Sequence, residues 1–323
     1  MSLASQSVAA APHAPVLLDE VLAAMEVQTG GVYVDGTFGA GGYSRAMLDA
    51  ASNAKVIGID RDPNVAKTAE TLHVESHGRF EFIAGQFGEM RQLLAERGID
   101  SVDGIVLDIG VSSMQIDEAE RGFSFMKDGP LDMRMSQAGE SAADVVNRME
   151  EDDLADVIYQ FGEERLSRRV AKAIVIARAE APIETTAQLA DIVAKAVRSK
   201  SKSDKHPATK TFQALRIYVN GELDELANAL ESAESLLREG GRLVVVTFHS
   251  LEDRMVKEFM KSKVGRVAGQ SRHVPMQVGL PEATEKFGFE LVKPFPAKPS
   301  GEEMKANPRS RSARLRAMKR RNT

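Results

Sequence analysis

An α/β fold with a parallel sheet and one helical insertion follows from three observations. Short β-branched runs alternate with helix-period stretches up to Asp108. The alternation then stops for far longer than one crossover needs. It resumes with a single apolar strand from Gly241. Strand–helix alternation marks βαβ units, whose parallel strands need helical crossovers. At 323 residues the chain has room for about two domains.

Residues 1–12 are Ala/Ser-rich and expected to be disordered. Gly31–Asp35, Lys55–Asp60, Phe80–Ala84 and Asp103–Asp108 read as the first four strands, each short, β-branched and bounded by Gly or Asp. Helices fill the gaps between them. Next, Leu154, Val157, Ile158 and Phe161, then Val170, Ile174 and Ala177, recur at helical spacing. Thr186 can cap a helix carrying Leu189, Val193 and Val197. A further helix carries Leu223, Leu226, Leu230, Ala233 and Leu237. It ends at Gly240-Gly241, before the strand Gly241–Phe248, and is the expected crossover. The sheet domain is therefore discontinuous, over 13–116 and 221–304, with a helical substrate-recognition insertion over 117–220. The chain after residue 260 is Pro/Gly-rich, with one more strand at Phe289–Lys293 and a basic tail over 305–323.

Charged residues make up 28% of the chain and no apolar run approaches about 18 residues, which excludes a membrane-spanning helix. The absence of cysteine excludes disulfides, thiolate metal sites and a cysteine nucleophile. No basic residue precedes Arg45, so the charged start of a secretory signal is missing and a cytoplasmic location is expected. The net charge is −5, yet the segment from Lys305 onward is purely basic. An acidic body with a basic tail fits a polyanion partner, or a solvated tail that aids solubility.

The first strand runs into Asp35-Gly-Thr-Phe-Gly39-Ala-Gly41-Gly42-Tyr43-Ser44, and the second ends in Asp60. Glycines at a strand-to-helix turn admit a ligand close to the backbone, and a carboxylate ending the second strand can accept ribose hydroxyls. Ser44 stands where a dinucleotide fingerprint needs Gly or Ala. Asp35 favours a cationic ligand over a pyrophosphate. The chemistry thus leans towards S-adenosylmethionine and away from NAD. Phe87, after the third strand, is placed to flank adenine or to pack in the core. Asp108 ends the fourth strand, where an open α/β sheet holds its ligand; its other reading is a turn residue. His249, beyond the late strand, is read as substrate-side or structural. No Gly-x-Ser-x-Gly elbow accompanies Ser250, so a hydrolase is rejected. His73 and His77 read as surface residues, and no metal is expected.

Further segments stand in order along the chain: His13–Glu20, Ile59-Asp-Arg-Asp-Pro63, Leu107–Ser113, Glu120–Phe125, Gly129–Met135, His206–Arg216, Phe248–Arg254 and Asn307–Ser312. With the glycine turn, they resemble the bacterial 16S ribosomal RNA cytosine-N4 methyltransferases, the H-type small-subunit rRNA methyltransferases. The resemblance implies a class I, Rossmann-like methyltransferase sheet with an inserted helical domain. It implies S-adenosylmethionine as donor and the exocyclic amine of a decoding-centre cytosine, in the P-site region of the small subunit, as acceptor. It implies donor contacts from Gly41, Gly42, Tyr43, Asp60, Phe87, Asp108 and Gln115, to which the residue reading adds Asp35. Tyr43 stands where His is usual, Met114 where Pro is usual and Thr247 where Ser is usual.

A cytosine amine is a weak nucleophile, so transfer needs in-line placement and a proton acceptor. Asp108 and His249 are the candidate catalytic residues. Without cysteine, the covalent route to carbon-5 methylation is closed. Arg121 beside Phe123 and Phe125, together with Lys205, Lys210, Arg216, Arg309 and Arg311, are the candidate RNA contacts; Phe212 is read as core. A nicotinamide oxidoreductase, a small-molecule methyltransferase and a non-catalytic RNA-binding factor are the competing readings. No membrane partner is expected, and no oligomeric state is specified.

Overall fold

A computed structural model describes residues 15–197, 206–264, 288–294 and 296–322. The expected disorder of residues 1–12 and the RNA role of Lys205 lie outside the described residues. The sheet domain begins with α1 (Leu18–Met25), which sequence reasoning did not anticipate, then β1 (Val32–Asp35), α2 (Gly42–Ala50), β2 (Lys55–Asp60), α3 (Ala66–Glu75), β3 (Phe80–Ala84), α4 (Met90–Ala95), β4 (Val102–Asp108) and α5 (Ser113–Asp117). Helices α6 (Ala142–Arg148), α7 (Glu151–Gly162), α8 (Ser167–Glu180), α9 (Thr186–Val197) and α10 (Thr209–Asn220) follow. The chain returns through α11 (Glu222–Leu236), β5 (Leu237–Thr247), α12 (Ser250–Lys263), β6 (Phe289–Leu291), α13 (Gly301–Ala306) and β7 (Arg314–Arg320).

The seven strands order as β3-β2-β1-β4-β5-β7-β6. The first five are parallel, and β7 runs antiparallel between β5 and β6. One apolar cluster, including Ile59, Ile105, Leu230 and Met260, packs α4, α11 and α12 on one face. The other, including Leu17, Met47, Leu72 and Leu315, packs α1, α2 and α3. This is the doubly wound, Rossmann-like plan. Its strand order reverses between β1 and β4, which places a ligand crevice outside their carboxyl ends. Helices α6 to α10 build a third cluster around Leu154, Ile158, Ile174, Val193 and Leu215.

Two expectations change. Strand β5 starts at Leu237, where α11 stops, rather than after Gly240-Gly241. Leu237 is buried and pairs with Val102, and Arg242 then pairs with Gly104, so the two glycines sit in an irregularity of the strand. More consequentially, the basic segment is not a free tail. Arg314–Arg320 threads between β5 and β6 with Leu315, Ala317 and Met318 buried. Its alternating apolar residues meet the core while its arginines pair outward: Arg316 with Asp253 at 2.7 Å, and Arg320 with the carbonyls of Glu234 and Leu237.

Candidate donor and acceptor site

The glycine turn links β1 to α2. Gly39 (φ +50°) and Gly41 (φ +75°) take the left-handed conformation that a side chain disfavours, and a Cβ on Gly41 would stand 2.9 Å from the Phe38 ring. The Gly39 N–H donates to Asp60 Oδ2 at 2.7 Å, and the Asp62 N–H donates to Asp60 Oδ1 at 2.8 Å. Asp60 thereby ties the turn to the end of β2 and keeps lone pairs for a further donor. Burial pushes its carboxyl above the usual range against those hydrogen bonds.

Asp35 is fully buried. It accepts Ser44 Oγ–H at 2.7 Å and the Thr37 N–H at 3.3 Å, and burial still pushes it up to about 6. Ser44 therefore has a task, which explains a hydroxyl at that place. Gly42 opens α2. Tyr43 turns its ring into the core, where its hydroxyl donates to the Val16 carbonyl. That side chain is spent on packing, so Tyr43 can meet a ligand through its backbone alone. Phe87 is half-buried against the core, and its N–H donates to Glu225 Oε1 at 2.9 Å.

Asp108 ends β4. Its N–H donates to Thr37 Oγ1 at 2.7 Å, while its Oδ1 is buried with no hydrogen-bond partner among the described residues. Burial, then the charges of Asp35 and Glu252, push it up to about 8. Carboxylates thus converge on one strand edge with no cation of the described chain beside Asp108. A ligand bearing sulfonium and ammonium groups supplies the missing charge, so the residues fit S-adenosylmethionine.

Strand β5 pairs Val246 with Asp108, so the residues just past its end open on the same sheet edge. There Glu252, fully buried, accepts the N–H groups of Phe248 and His249 through Oε2. Its Oε1 lies 2.7 Å from His249 Nε2 and 3.8 Å from Arg216 Nη2. Arg216 is bidentate to Glu222, with both contacts at 2.8 Å. Ligand-type atoms of Glu222, His249 and Glu252 lie within 4.8 Å of one another. Because Arg216 takes both oxygens of Glu222, a cation already occupies this cluster.

Two of the expected RNA contacts are corrected. Arg121 is buried and donates to Asp62 Oδ2 at 2.7 Å and to the carbonyls of Arg134 and Met135. Arg216 is committed to Glu222. Neither guanidinium is free for a phosphate. Lys210, Arg309 and Arg311 are exposed, Lys210 donating to the Glu163 carbonyl and Arg309 pairing with Asp117. Phe123 and Phe125 pack against the insertion's core, Phe125 within 4.9 Å of the Phe212 ring centre and 4.6 Å of that of His206. Gln115 caps α5 and donates to Asp62 Oδ2 at 2.8 Å, so both ends of its amide have protein partners. His73 and His77 are exposed.

Sequence reasoning missed Arg61, Asp62, Glu222, Glu225 and Glu252. Arg61 donates to Glu225 Oε2 at 2.6 Å and to the Asn220 carbonyl, so the stretch after β2 grips the insertion on both sides. The signal that could have found them is Asp60-Arg-Asp62, two carboxylates flanking an arginine, of which only the first points to a ligand at first reading.

The sequence pattern of the MraW methylase family matches residues 10–321. The chain belongs to the MraW methylase family. This is a family of S-adenosylmethionine-dependent methyltransferases, in keeping with the cation-seeking strand edge. The chain is 60% identical to the ribosomal RNA small subunit methyltransferase H of Maricaulis maris, over 95% of this chain and 90% of that one. It is 56% identical to the protein of the same name from Rhodospirillum rubrum, over 96% and 94%. Among solved structures, TrmN from Thermus thermophilus aligns with 94% of this chain and 48% of its own at 11% identity and a TM-score of 0.41.

Proposed function

We propose that this MraW-family methylase transfers the methyl group of S-adenosylmethionine to the exocyclic N4 amine of a cytosine in the decoding centre of 16S ribosomal RNA, acting in the cytoplasm on the small subunit. The observation that carries the reading is the orphaned Asp108 carboxylate at the reversal point of the sheet, beside the glycine turn and Asp60. The identity to small-subunit methyltransferases over nearly the whole chain supports the substrate class.

In this reading Asp60 accepts the ribose hydroxyls, the turn from Gly41 to Tyr43 lets the backbone approach, Phe87 flanks adenine, and Gln115 borders the pocket. Asp35 and Asp108 face the donor's cationic groups. The bound donor supplies the methyl group. The chain's part is to hold the amine in line, exclude water and take up a proton. The target base leaves its stack to enter. Lys210, Arg309 and Arg311 meet phosphates, and the insertion formed by α6 to α10 presents the substrate. The test is to incubate the protein with labelled donor and small subunits, naked rRNA or a metabolite extract, then digest and identify the product. Label in N4-methylcytidine from small-subunit rRNA is expected. Label confined to a metabolite contradicts the reading.

A further inference from the structure

We infer that Glu252, secured by Arg216 and Glu222, is a positioning residue that sets His249 as the acceptor of the proton leaving the substrate amine. The inference rests on the amine-methylation reading above. Six buried side-chain polar atoms have no conventional hydrogen bond among the described residues, and four belong to Asp108, His249 and Glu252; of these, His249 Nε2 and Glu252 Oε1 face each other, which leaves Asp108 Oδ1 and His249 Nδ1 orphaned. Buried polar atoms are ordinarily satisfied, so such a concentration needs an explanation. Asp108 ends β4, His249 follows the end of the adjacent β5 and Glu252 lies in the first turn of α12, so a substrate amine at this sheet edge would complete them.

The geometry assigns the roles. Glu252 is fixed by two backbone N–H groups on Oε2, leaving Oε1 beside His249 Nε2 at 2.7 Å. A carboxylate there keeps the imidazole proton on Nε2 and leaves the Nδ1 lone pair free. Nδ1 is one of the orphaned atoms. Arg216 Nη2 stands 3.8 Å from Oε1 of the fully buried Glu252. The charged groups packed about Glu252 and the imidazole are Arg216 of α10 and Glu222 of α11, with Asp108 of β4 close enough to feel the charge of Glu252. Beyond neighbouring Ser250 stand Glu163, at the end of α7, and Arg254. As the amine nitrogen forms its bond to the methyl carbon, the electrons of the broken C–S bond stay on sulfur. One N–H proton passes to His249 Nδ1, and the imidazolium beside Glu252 later yields it to water.

The test is a double-mutant cycle in the full chain, read as single-turnover rate on small subunits. Glu252→Gln is expected to slow transfer about 10²- to 10⁴-fold, the range of general acid–base catalysis. Donor affinity by calorimetry should hold within about two-fold. In a His249→Ala background the same change should cost almost nothing, because the two act as one unit. Glu252→Asp, which keeps the charge, should recover part of the rate. Independent, multiplicative losses would make Glu252 merely structural and overturn the inference. Nitrogen NMR of the free wild-type protein gives a reading that needs neither activity nor a variant. It should show His249 protonated on Nε2, and a proton on Nδ1 overturns the proposal. Wild-type protein that makes no N4-methylcytidine overturns the functional reading instead.

Discussion

Two carboxylates at strand ends on either side of β1 have opposite surroundings. Asp60 is furnished with N–H donors from Gly39 and Asp62, whereas Asp108 Oδ1 has none among the described residues. Asp60→Asn removes the charge and sets an amide NH2 against one of these two N–H groups, so it should loosen the turn and weaken donor binding. Loss of a charged acceptor is worth about 1.5–3 kcal/mol, or roughly 10- to 150-fold in affinity by calorimetry. Asp108→Asn should abolish transfer and also change the pH dependence of stability. Burial raises its carboxyl from the ordinary 3.8 to about 8 in the folded state, so the folded protein keeps a proton that the unfolded chain releases. Its stabilising contribution is full below about pH 4 and is lost progressively as pH rises towards 8. Thermal melts of the donor-free protein between pH 5 and pH 9 should accordingly fall less steeply for Asp108→Asn than for wild type. Each pKa unit realised is about 1.4 kcal/mol, or about 2 °C in Tm at this size. Parallel melting curves would show that Asp108 is ionised without its ligand.

At the scale of elements, β7 changes the meaning of the basic C-terminal segment. Charge counting alone makes Arg314, Arg316, Lys319 and Arg320 phosphate ligands. Leu315 and Ala317, two apart, meet one apolar cluster and Met318 the other, a strand signal that eight basic residues obscure. Leu315→Ala should cost about 2–5 kcal/mol, measured by denaturant unfolding. Deleting residues 309–323 should lose donor binding along with RNA binding, since β6 would then have no partner strand. The parallel strands and their crossovers were legible because β-branched runs and glycine turns are local signals. The start of β5 was not, because burial of Leu237 against Val102 is a long-range contact that overrides the local Gly-Gly break.

Across the whole molecule, the sheet domain and the insertion are joined by buried ion pairs rather than by a loose hinge. Asp62 with Arg121 and Gln115, and Glu225 with Arg61, link the end of β2 to both borders of the insertion. Removing one partner of a buried pair costs about 3–5 kcal/mol, so Arg121→Ala should lower the Tm and loosen the insertion, read as faster hydrogen exchange in α6 to α10. The residues proposed for the donor were legible as strand ends and their turns, which is where the structure puts them. Of those proposed for the acceptor side, only Asp108 and His249 had a local signal. Arg216, Glu222 and Glu252 come from three helices, and their meeting is visible only in the fold. With the guanidiniums of Arg121 and Arg216 committed inside the protein, Lys210, Arg309 and Arg311 are the exposed cations among those proposed to meet phosphates. The most direct test of the central claim is to purify the protein, incubate it with methyl-labelled S-adenosylmethionine and small ribosomal subunits, and separate the nucleosides of the digested rRNA. Label in N4-methylcytidine for the wild type, and none for Asp108→Asn, is the expected result; label at ring carbon, at ribose or in a small metabolite would contradict it.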